Sequence, residues 1–302
     1  MKIFSKIFLS VALCGIMLFS GCNKTSLDPS EIVVSDTGSD VTPAVFPFDS
    51  CGVTLEHAVE KAVSLSPALT EIICELGFND RLVGVSSYCD YPNRLPVDRV
   101  GSSENPDIEG IIALRPDAVF TLSPISEREV YLLNQEGIAV LTPSVPSDLE
   151  GYSALYREVS AAFYGKETDE DGIRRCDNIA SEARTALENA ASAVKTESFV
   201  YITGKFTFAG YDTFEGSVLG LSGENICKHS GYVTLEDFYE ELRAGDHPSY
   251  MIVDGALTEE EVRESATLTL LLETGTKLRF VNSRCFERPS ARTAEVFTDI
   301  LI

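Results

Sequence analysis

The chain has no tryptophan, few histidines and few basic residues. Its 302 residues include 24 lysines and arginines against 47 aspartates and glutamates, which gives a formal net charge of −23. A chain this acidic repels polyanions, so nucleic acid and anionic lipid surfaces are not expected as partners. The three histidines, His57, His229 and His247, are scattered and lack the spacing of metal ligands. We therefore predict no metal site.

Motifs of common enzyme classes are also absent. The sequence contains no HExxH, GxSxG or CxxC, and the P-loop-like segment GYDTFEGS at 210–217 lacks the lysine that phosphate binding needs. Asp90, Asp254 and Glu287 have the chemistry of acids or bases, but no nucleophile is paired with them. We predict a binding protein and not an enzyme. An extracellular hydrolase using Asp90 or Glu287 is the alternative from another class.

The amino terminus has the features of an export signal. Lys2 and Lys6 precede an apolar run at 7–19, which is too short to cross a bilayer as a permanent helix, and small residues follow it. LFSGC at 18–22 resembles a bacterial lipobox, although Phe19 departs from the usual Leu, Val or Ile. The resemblance implies that residues 1–21 are removed and that lipid on Cys22 anchors an extracytoplasmic protein to the bacterial cell membrane. An ordinary secretory signal with an incidental cysteine is the alternative.

Removal of residues 1–21 would take away two lysines, so the mature net charge becomes 22 minus 47, or −25. Residues 22–52 are rich in Ser, Thr, Asp and Pro without periodicity, which predicts a flexible tether. Six further cysteines allow fifteen disulfide pairings, and their spacing selects none of them. They are Cys51, Cys74, Cys89, Cys176, Cys227 and Cys285.

Beyond the tether, apolar strands and amphipathic helices alternate in two series. Continuous apolar strands separated by helices indicate a mostly parallel sheet covered on both faces. The first series spans 53–166 and the second 197–302, and 167–196 predicts one long Ala-rich helix between them. We therefore predict an α/β fold with two Rossmann-like lobes joined by one long helix.

Two facing lobes of this kind predict a ligand cleft between them. In open α/β sheets, ligands bind outside the carboxyl ends of the strands. The segments expected at those ends include SSYCDYP at 86–92, KFTFAG at 205–210 and SRCFER at 283–288. Their rings suit a flat, partly apolar ligand, and core packing is the alternative role for each ring. The rings belong to Tyr88, Tyr91, Phe206, Phe208 and Phe286.

Several of these segments resemble one family. The stretches at 63–92 (VSLSPALTEIICELGFNDRLVGVSSYCDYP), 105–120 (NPDIEGIIALRPDAVF) and 286–292 (FERPSAR) are similar to substrate-binding proteins of ABC importers for cobalamin, haem and ferric siderophores. SSYCDYP and FERPSAR are most similar to the cobalamin-binding members. The resemblance covers about residues 61–302. It implies the class III periplasmic-binding-protein architecture, in which a rigid helix joins two α/β lobes.

The resemblance also implies roles for individual residues. Tyr88 would lie against a corrin ring, Glu287 and Arg288 would reach the ligand's edge, and Phe206 or Phe208 would be an aromatic cleft residue. Glu109 and Glu236, one on each lobe, would engage arginines of the permease and so orient docking. From helical periodicity alone, the preferred interpretation of these two acids is that they belong to solvated helix faces, and the resemblance reverses that preference.

The chain departs from the cobalamin-binding pattern at its tryptophans. The matching positions hold Ser103, Leu122, Ser230 and Cys285, so much of the flat contact area is missing, although Tyr232 is placed to substitute for one ring.

The function predicted from sequence is capture of a cobalamin-like corrinoid between the lobes and its delivery to an ABC permease with ATPase subunits. We expect a monomer that needs no cofactor. Haem, with Tyr88 as axial ligand, and a ferric siderophore, held by Lys205, Arg284 and Arg288, are the alternative ligands. A surface binding module without a transporter is a further alternative.

Overall fold

The structure is a computed structural model that describes residues 46–165, 170–244 and 247–301. The predicted signal peptide, Cys22 and the tether up to residue 45 lie outside the described residues. Among the helices of the described ranges, none has both the length and the apolar composition that crossing a bilayer requires.

A short antiparallel hairpin opens the described chain. Strand β1 (Phe48–Ser50) pairs with β2 (Val53–Leu55), and Phe48 and Leu55 are buried against the first lobe. The predicted tether at 22–52 therefore extends too far, because β1 already belongs to the folded body. The hairpin was missed because its strands are only three residues long and show no sustained alternation.

The first lobe contains a five-stranded sheet in which every neighbouring pair is parallel. The strand order is β5-β4-β3-β6-β7. The chain adds strands on one side of β3 and then crosses to the other side, so the order reverses between β3 and β6, where doubly wound sheets form a ligand crevice. The strands are β3 (Ala62–Ser64), β4 (Leu82–Val85), β5 (Asp98–Arg99), β6 (Ala118–Phe120) and β7 (Ala139–Leu141).

The helices of the first lobe cover both faces of this sheet, as the apolar strands predicted. Phe120 and Phe163 stack with ring centroids 5.5 Å apart, which packs β6 against the last of these helices. They are α1 (Pro67–Glu75), α2 (Ile108–Leu114), α3 (Glu127–Gln135) and α4 (Leu149–Tyr164), with a 3-10 turn at Asn79–Arg81.

The predicted linking helix is present as α5 (Glu170–Ser192). It packs along α4 and against the carboxyl-terminal segment of the chain. Residues 166–169 lie outside the described part of the chain. One long helix therefore follows the first lobe and precedes the second, as the sequence predicted.

The second lobe has a six-stranded mixed sheet of order β11-β9-β8-β12-β13, with β10 also pairing with β8. The pairs of β8 with β10 and β12, and of β12 with β13, are parallel, whereas β9 is antiparallel to both β8 and β11. The strands are β8 (Glu197–Ile202), β9 (Thr207–Ala209), β10 (Gly223–Asn225), β11 (Tyr232–Thr234), β12 (Tyr250–Asp254) and β13 (Lys277–Val281).

Short helices connect these strands. Two of them, and a 3-10 segment between them, follow β13 and carry the chain back toward the first lobe. The helices are α6 (Phe214–Leu219), α7 (Leu235–Ala244), α8 (Glu259–Glu264), α9 (Ala266–Glu273), α10 (Arg284–Glu287) and α11 (Val296–Leu301), with the 3-10 segment at Ala291–Glu295.

One apolar cluster runs through both lobes and the linking helix. It contains Phe120 from the first lobe, Leu187 from α5, and Tyr201 and Phe286 from the second lobe. Burial of apolar area across this interface opposes separation of the lobes. The two lobes are therefore held together by a shared core.

Candidate functional site

The segments that follow the carboxyl ends of β4 and β13, one from each lobe, meet where the lobes adjoin. SSYCDYP, at 86–92, directly follows β4, and the segment 282–288 directly follows β13. Arg284 and Arg288 from the second segment contact Asp90 in the first. Segments almost 200 residues apart in sequence are thus neighbours, as the two-lobe prediction required.

Arg288 bridges the two lobes. Its guanidinium donates to the carboxylate of Asp90 and, through Nη2, to the backbone oxygen of Tyr88 at 3.2 Å. Arg284 donates to the second carboxylate oxygen of Asp90 at 3.1 Å. Burial opposes ionisation of Asp90, but the hydrogen bond and charge of Arg288 prevail and lower the pKa of Asp90 below its ordinary value.

Glu71 on α1 forms a second, buried connection between the lobes. Its side chain is 1 % exposed and accepts hydrogen bonds from Ser290 Oγ at 2.6 Å and from Arg292 Nη1 at 3.4 Å. Arg288 Nη1 lies 3.7 Å from Glu71 Oε1. Burial raises the pKa of Glu71 in spite of these partners. The carboxylate therefore fixes the FERPSAR segment to the first lobe.

Glu75, one helical turn further along α1, continues this connection. Its carboxylate accepts hydrogen bonds from the Tyr156 hydroxyl and from the backbone N–H of Ala291, the latter at 3.3 Å. Burial raises the pKa of Glu75 above its ordinary 4.5, although both hydrogen bonds oppose the shift.

This raised pKa predicts a pH-dependent contribution to stability. Because the folded state holds the Glu75 proton more tightly than the unfolded state, the favourable contribution is complete below pH 4.5 and is lost as pH rises through the raised pKa. The free energy of unfolding of the wild type, minus that of Glu75→Gln, should therefore fall as pH rises from 4.5. Urea denaturation at a series of pH values measures this difference.

Asp90→Asn is the control, because its difference in free energy of unfolding from the wild type should change with pH in the opposite direction. The pKa of Asp90 is lowered, so its contribution is present at neutral pH and is lost as pH falls through that lowered value. If the difference in free energy of unfolding between the wild type and Glu75→Gln stays constant across the pH series, the raised pKa of Glu75 is contradicted.

The tyrosine of SSYCDYP that we predicted to contact a ligand is exposed. Tyr88 is 66 % exposed, so its ring is available to a ligand, while its backbone oxygen is held by Arg288. Tyr91 is 44 % exposed, and the guanidinium carbon of Arg292 lies 4.9 Å from the centroid of its ring. Tyr91 therefore packs against the interlobe connection, whereas Tyr88 remains a candidate ligand contact.

Of the two phenylalanines in KFTFAG, only one is accessible. Phe206 is half-buried in the turn between β8 and β9, where its φ is +57°. Phe208 is fully buried and makes an edge contact with Phe238, with ring centroids 5.0 Å apart. The prediction of Phe208 as a ligand contact is wrong, because alternation along β9 directs its side chain into the core.

Phe286 is also a packing residue. It is 8 % exposed and lies edge-on to Tyr201, with ring centroids 5.2 Å apart, and 6.4 Å from the ring of Phe214. The prediction that Phe286 offers a ring to the ligand is therefore corrected to a core role. Glu287, the next residue, is exposed and lines a recess of about 500 Å³ beside β12 and β13.

The positions that match tryptophans of the cobalamin-binding pattern differ in exposure. Ser103 and Leu122 are half-buried and Ser230 is exposed, while Cys285 is 4 % exposed and belongs to the core. Tyr232 is 56 % exposed at the start of β11, as a substitute ring would need to be. The cysteines whose side chains are described are free thiols, at Cys51, Cys74, Cys89, Cys227 and Cys285. The side chain of Cys176 lies outside the described residues.

Two residues near the cleft were missed from sequence. Glu215, at the start of α6, accepts a hydrogen bond from the Tyr232 hydroxyl at 2.9 Å, and Tyr201 lies under Phe286. Both occur within apolar segments that indicate a core role. The only sequence feature that sets these two residues apart is that a tyrosine and a glutamate interrupt otherwise apolar segments.

Comparison with known proteins establishes the family. The family model described as periplasmic binding protein matches residues 63–265, which is about two thirds of the chain. The chain belongs to the periplasmic binding protein family. Its lobes therefore form the two-lobed class III architecture of that family.

Two relatives and one solved structure illustrate the likeness. An uncharacterized ABC transporter substrate-binding lipoprotein of Bacillus subtilis, YvrC, is 27% identical over 228 residues, covering 69% of each chain. A vitamin B12-binding protein of Yersinia pestis is 41% identical over 64 residues, which cover 21% of this chain and 23% of that protein. The crystal structure of the haem-binding protein HutB of Vibrio cholerae aligns with a TM-score of 0.64 at 17% identity, covering 80% of this chain and 96% of HutB.

The two acids predicted to dock this periplasmic binding protein are both exposed. Glu109 lies in the first turn of α2 and Glu236 in the first turn of α7, one on each lobe. Their predicted exposure is confirmed. No residue of the described ranges forms an ion pair with either carboxylate, so both are available to an external partner.

Proposed function

We propose that this chain is a lipid-anchored, extracytoplasmic substrate-binding protein of an ABC importer, which captures a corrinoid between its lobes and delivers it to the permease. The observation that carries the proposal is the junction of SSYCDYP with FERPSAR, where Arg288 bonds to Asp90 and to the Tyr88 backbone while the Tyr88 ring stays exposed. The names of YvrC and of the vitamin B12-binding relative support it.

The charges at the junction favour a corrinoid over an anionic siderophore. A ferric siderophore with anionic groups needs several free cations. Arg284 and Arg288 are already bonded to Asp90, which leaves Lys205, in the turn after β8, as the one member of the predicted trio without an ion pair among the described residues. An amide-rich macrocycle without anionic groups does not need free cations, so it suits this charge distribution better.

Haem is the second candidate ligand. An exposed tyrosine suits an axial ligand of ferric haem, and Tyr88 is the available one. The likeness of the fold to HutB is consistent with this alternative. An enzymatic role is not favoured, because Asp90, with its lowered pKa and two arginine partners, is a weak general base.

Titration of the mature protein with cyanocobalamin, hemin and a ferric hydroxamate tests the proposal. Calorimetry and absorbance should show saturable binding of cyanocobalamin, and Tyr88→Ala should weaken it about tenfold by removing ring contact with the corrin. Tyr131→Ala is the matched control, because Tyr131 is 62 % exposed on α3, away from the cleft segments. Binding of hemin without binding of any corrinoid would replace this proposal by the haem alternative.

Delivery follows from the same architecture. A monomer anchored through Cys22 would present Glu109 and Glu236 together to a permease with two-fold symmetry. The chain itself needs no cofactor for capture and release.

A further inference from the structure

Two arginines of the segment that follows β13 bind one carboxylate of the other lobe. Arg284 Nη1 donates to Asp90 Oδ2 at 3.1 Å, and the Arg288 guanidinium donates to Asp90 Oδ1. The two oxygens of Asp90 thus accept from two different guanidinium groups. Although burial opposes ionisation, the hydrogen bond from Arg288 lowers the pKa of Asp90, so this carboxylate is charged at neutral pH.

The pair of Arg284 with Asp90 is accessible from outside the protein. The side chain of Arg284 is 58 % exposed and that of Asp90 is 50 % exposed. Arg284 also lines the recess of about 500 Å³ beside β12 and β13. A ligand that enters this recess therefore meets an arginine whose charge is already paired.

The two arginines differ in how many partners hold them. Arg288 is 12 % exposed and has two partners besides Asp90, namely Glu71 Oε1 at 3.7 Å and the backbone oxygen of Tyr88 at 3.2 Å. For Arg284, no carboxylate of the described ranges other than that of Asp90 lies within ion-pair distance. Loss of the Asp90 charge would therefore free Arg284 and leave Arg288 in place.

We propose that Asp90 is a specificity-determining residue, which withholds Arg284 from anionic ligands by pairing with it. This inference rests on the proposed capture of a corrinoid and adds a reason why an amide-bearing ligand is preferred to its carboxylate counterpart. A ligand carboxylate must displace Asp90 before it gains a charge-assisted hydrogen bond from Arg284. A ligand amide needs no such exchange, so its binding does not depend on a free cation.

Cyanocobalamin and its three monocarboxylic acids provide the test. In each acid one propionamide is hydrolysed to propionate, so a neutral and an anionic ligand share one framework and the same axial ligands. Calorimetry with the mature protein at pH 7 and low salt should show that the wild type binds the acids about tenfold more weakly than cyanocobalamin. Asp90→Asn, which keeps the shape of the side chain, should abolish this difference for at least one acid.

Two further variants separate release of Arg284 from other causes. Asp90→Asn/Arg284→Gln should restore the tenfold difference, because the freed guanidinium is then absent. Glu188→Gln is the matched control, since it removes a carboxylate that accepts from Arg184 at 3.0 Å within α5, and it should keep the wild-type difference. A purely structural role of Asp90 would weaken neutral and anionic ligands alike, and would leave the ratio of their affinities unchanged.

Several outcomes overturn the inference and leave corrinoid capture standing. The first is equal affinity of the wild type for cyanocobalamin and its acids, which needs no variant to fold. The second is a ratio that Asp90→Asn leaves unchanged for all three acids. The third is a changed ratio that persists in Asp90→Asn/Arg284→Gln, because Arg284 would then not be its cause.

Failure of the proposed function gives a different result. If the wild type binds hemin and no corrinoid, corrinoid capture is overturned, and hemin with its two propionates tests the inference instead. Asp90→Asn should then bind hemin about tenfold more tightly than the wild type, and Asp90→Asn/Arg284→Gln should not. Equal hemin affinity of the wild type and Asp90→Asn would overturn the inference as well.

Discussion

Replacing Glu109 and Glu236 together by alanine is expected to remove at least nine tenths of the ATPase stimulation that the ligand-loaded protein causes, without changing ligand affinity. Each carboxylate is exposed in the first turn of a helix, and each lobe carries one. Because the two lobes share a continuous core, the acids are held at a constant separation. In the proposed docking role, two fixed charges would define the orientation of the complex, and their loss would slow productive encounter.

The measurement uses the partner permease reconstituted with its ATPase subunits. ATP hydrolysis is followed as the ligand-loaded protein is added, and ligand affinity is measured separately by calorimetry. Glu127→Ala/Glu260→Ala is the matched control, since it also removes one exposed acid from a first helical turn in each lobe. If both double variants reduce stimulation equally, bulk charge and not a defined docking pair is responsible.

Glu71→Ala is expected to lower the free energy of unfolding by about 3–5 kcal/mol, which is the usual loss when one partner of a buried ion pair is removed. The substitution leaves Ser290 without its acceptor and removes one carboxylate partner from Arg292 and from the largely buried Arg288. Since these groups join the lobes, the interface at FERPSAR weakens with them.

Urea denaturation at pH 7, followed by circular dichroism, measures the loss. Glu295→Ala is the control, because Glu295 also pairs with Arg292, at 3.0 Å, but does so on the exposed surface. Exposed pairs contribute at most about 1 kcal/mol. A loss for Glu71→Ala no larger than that of the control would show that the buried carboxylate does not hold the lobes together.

Local periodicity predicted most of the secondary structure. The segment DAVFTL contains β6 at Ala118–Phe120, and the helix predicted at 167–196 contains α5 at Glu170–Ser192. Apolar runs and amphipathic faces are properties of neighbouring residues, so they are visible without the fold. Strand direction is not such a property, which is why the antiparallel pairing of β9 was not predicted.

The candidate site was predicted less completely than the fold. Tyr88 and Glu287 are exposed and stay candidate ligand contacts, whereas Phe208 and Phe286 are core residues. For a ring at the end of a strand, exposure depends on a few degrees of backbone direction and on which distant side chains cover it. The residue pattern in KFTFAG carries neither kind of information.

Glu71 shows the difference between what the sequence determines and what only the tertiary structure decides. The sequence by itself determined α1, because ALTEIICEL repeats apolar residues at helical spacing, and it determined the order of lobe, helix and lobe through two such alternations. Only the tertiary structure decided that Glu71 is buried, that Arg288 pairs with Asp90, and that the ring of Phe286 packs against Tyr201. Each of these depends on a partner contributed by a remote segment, and the energy of a charge depends on what surrounds it in space.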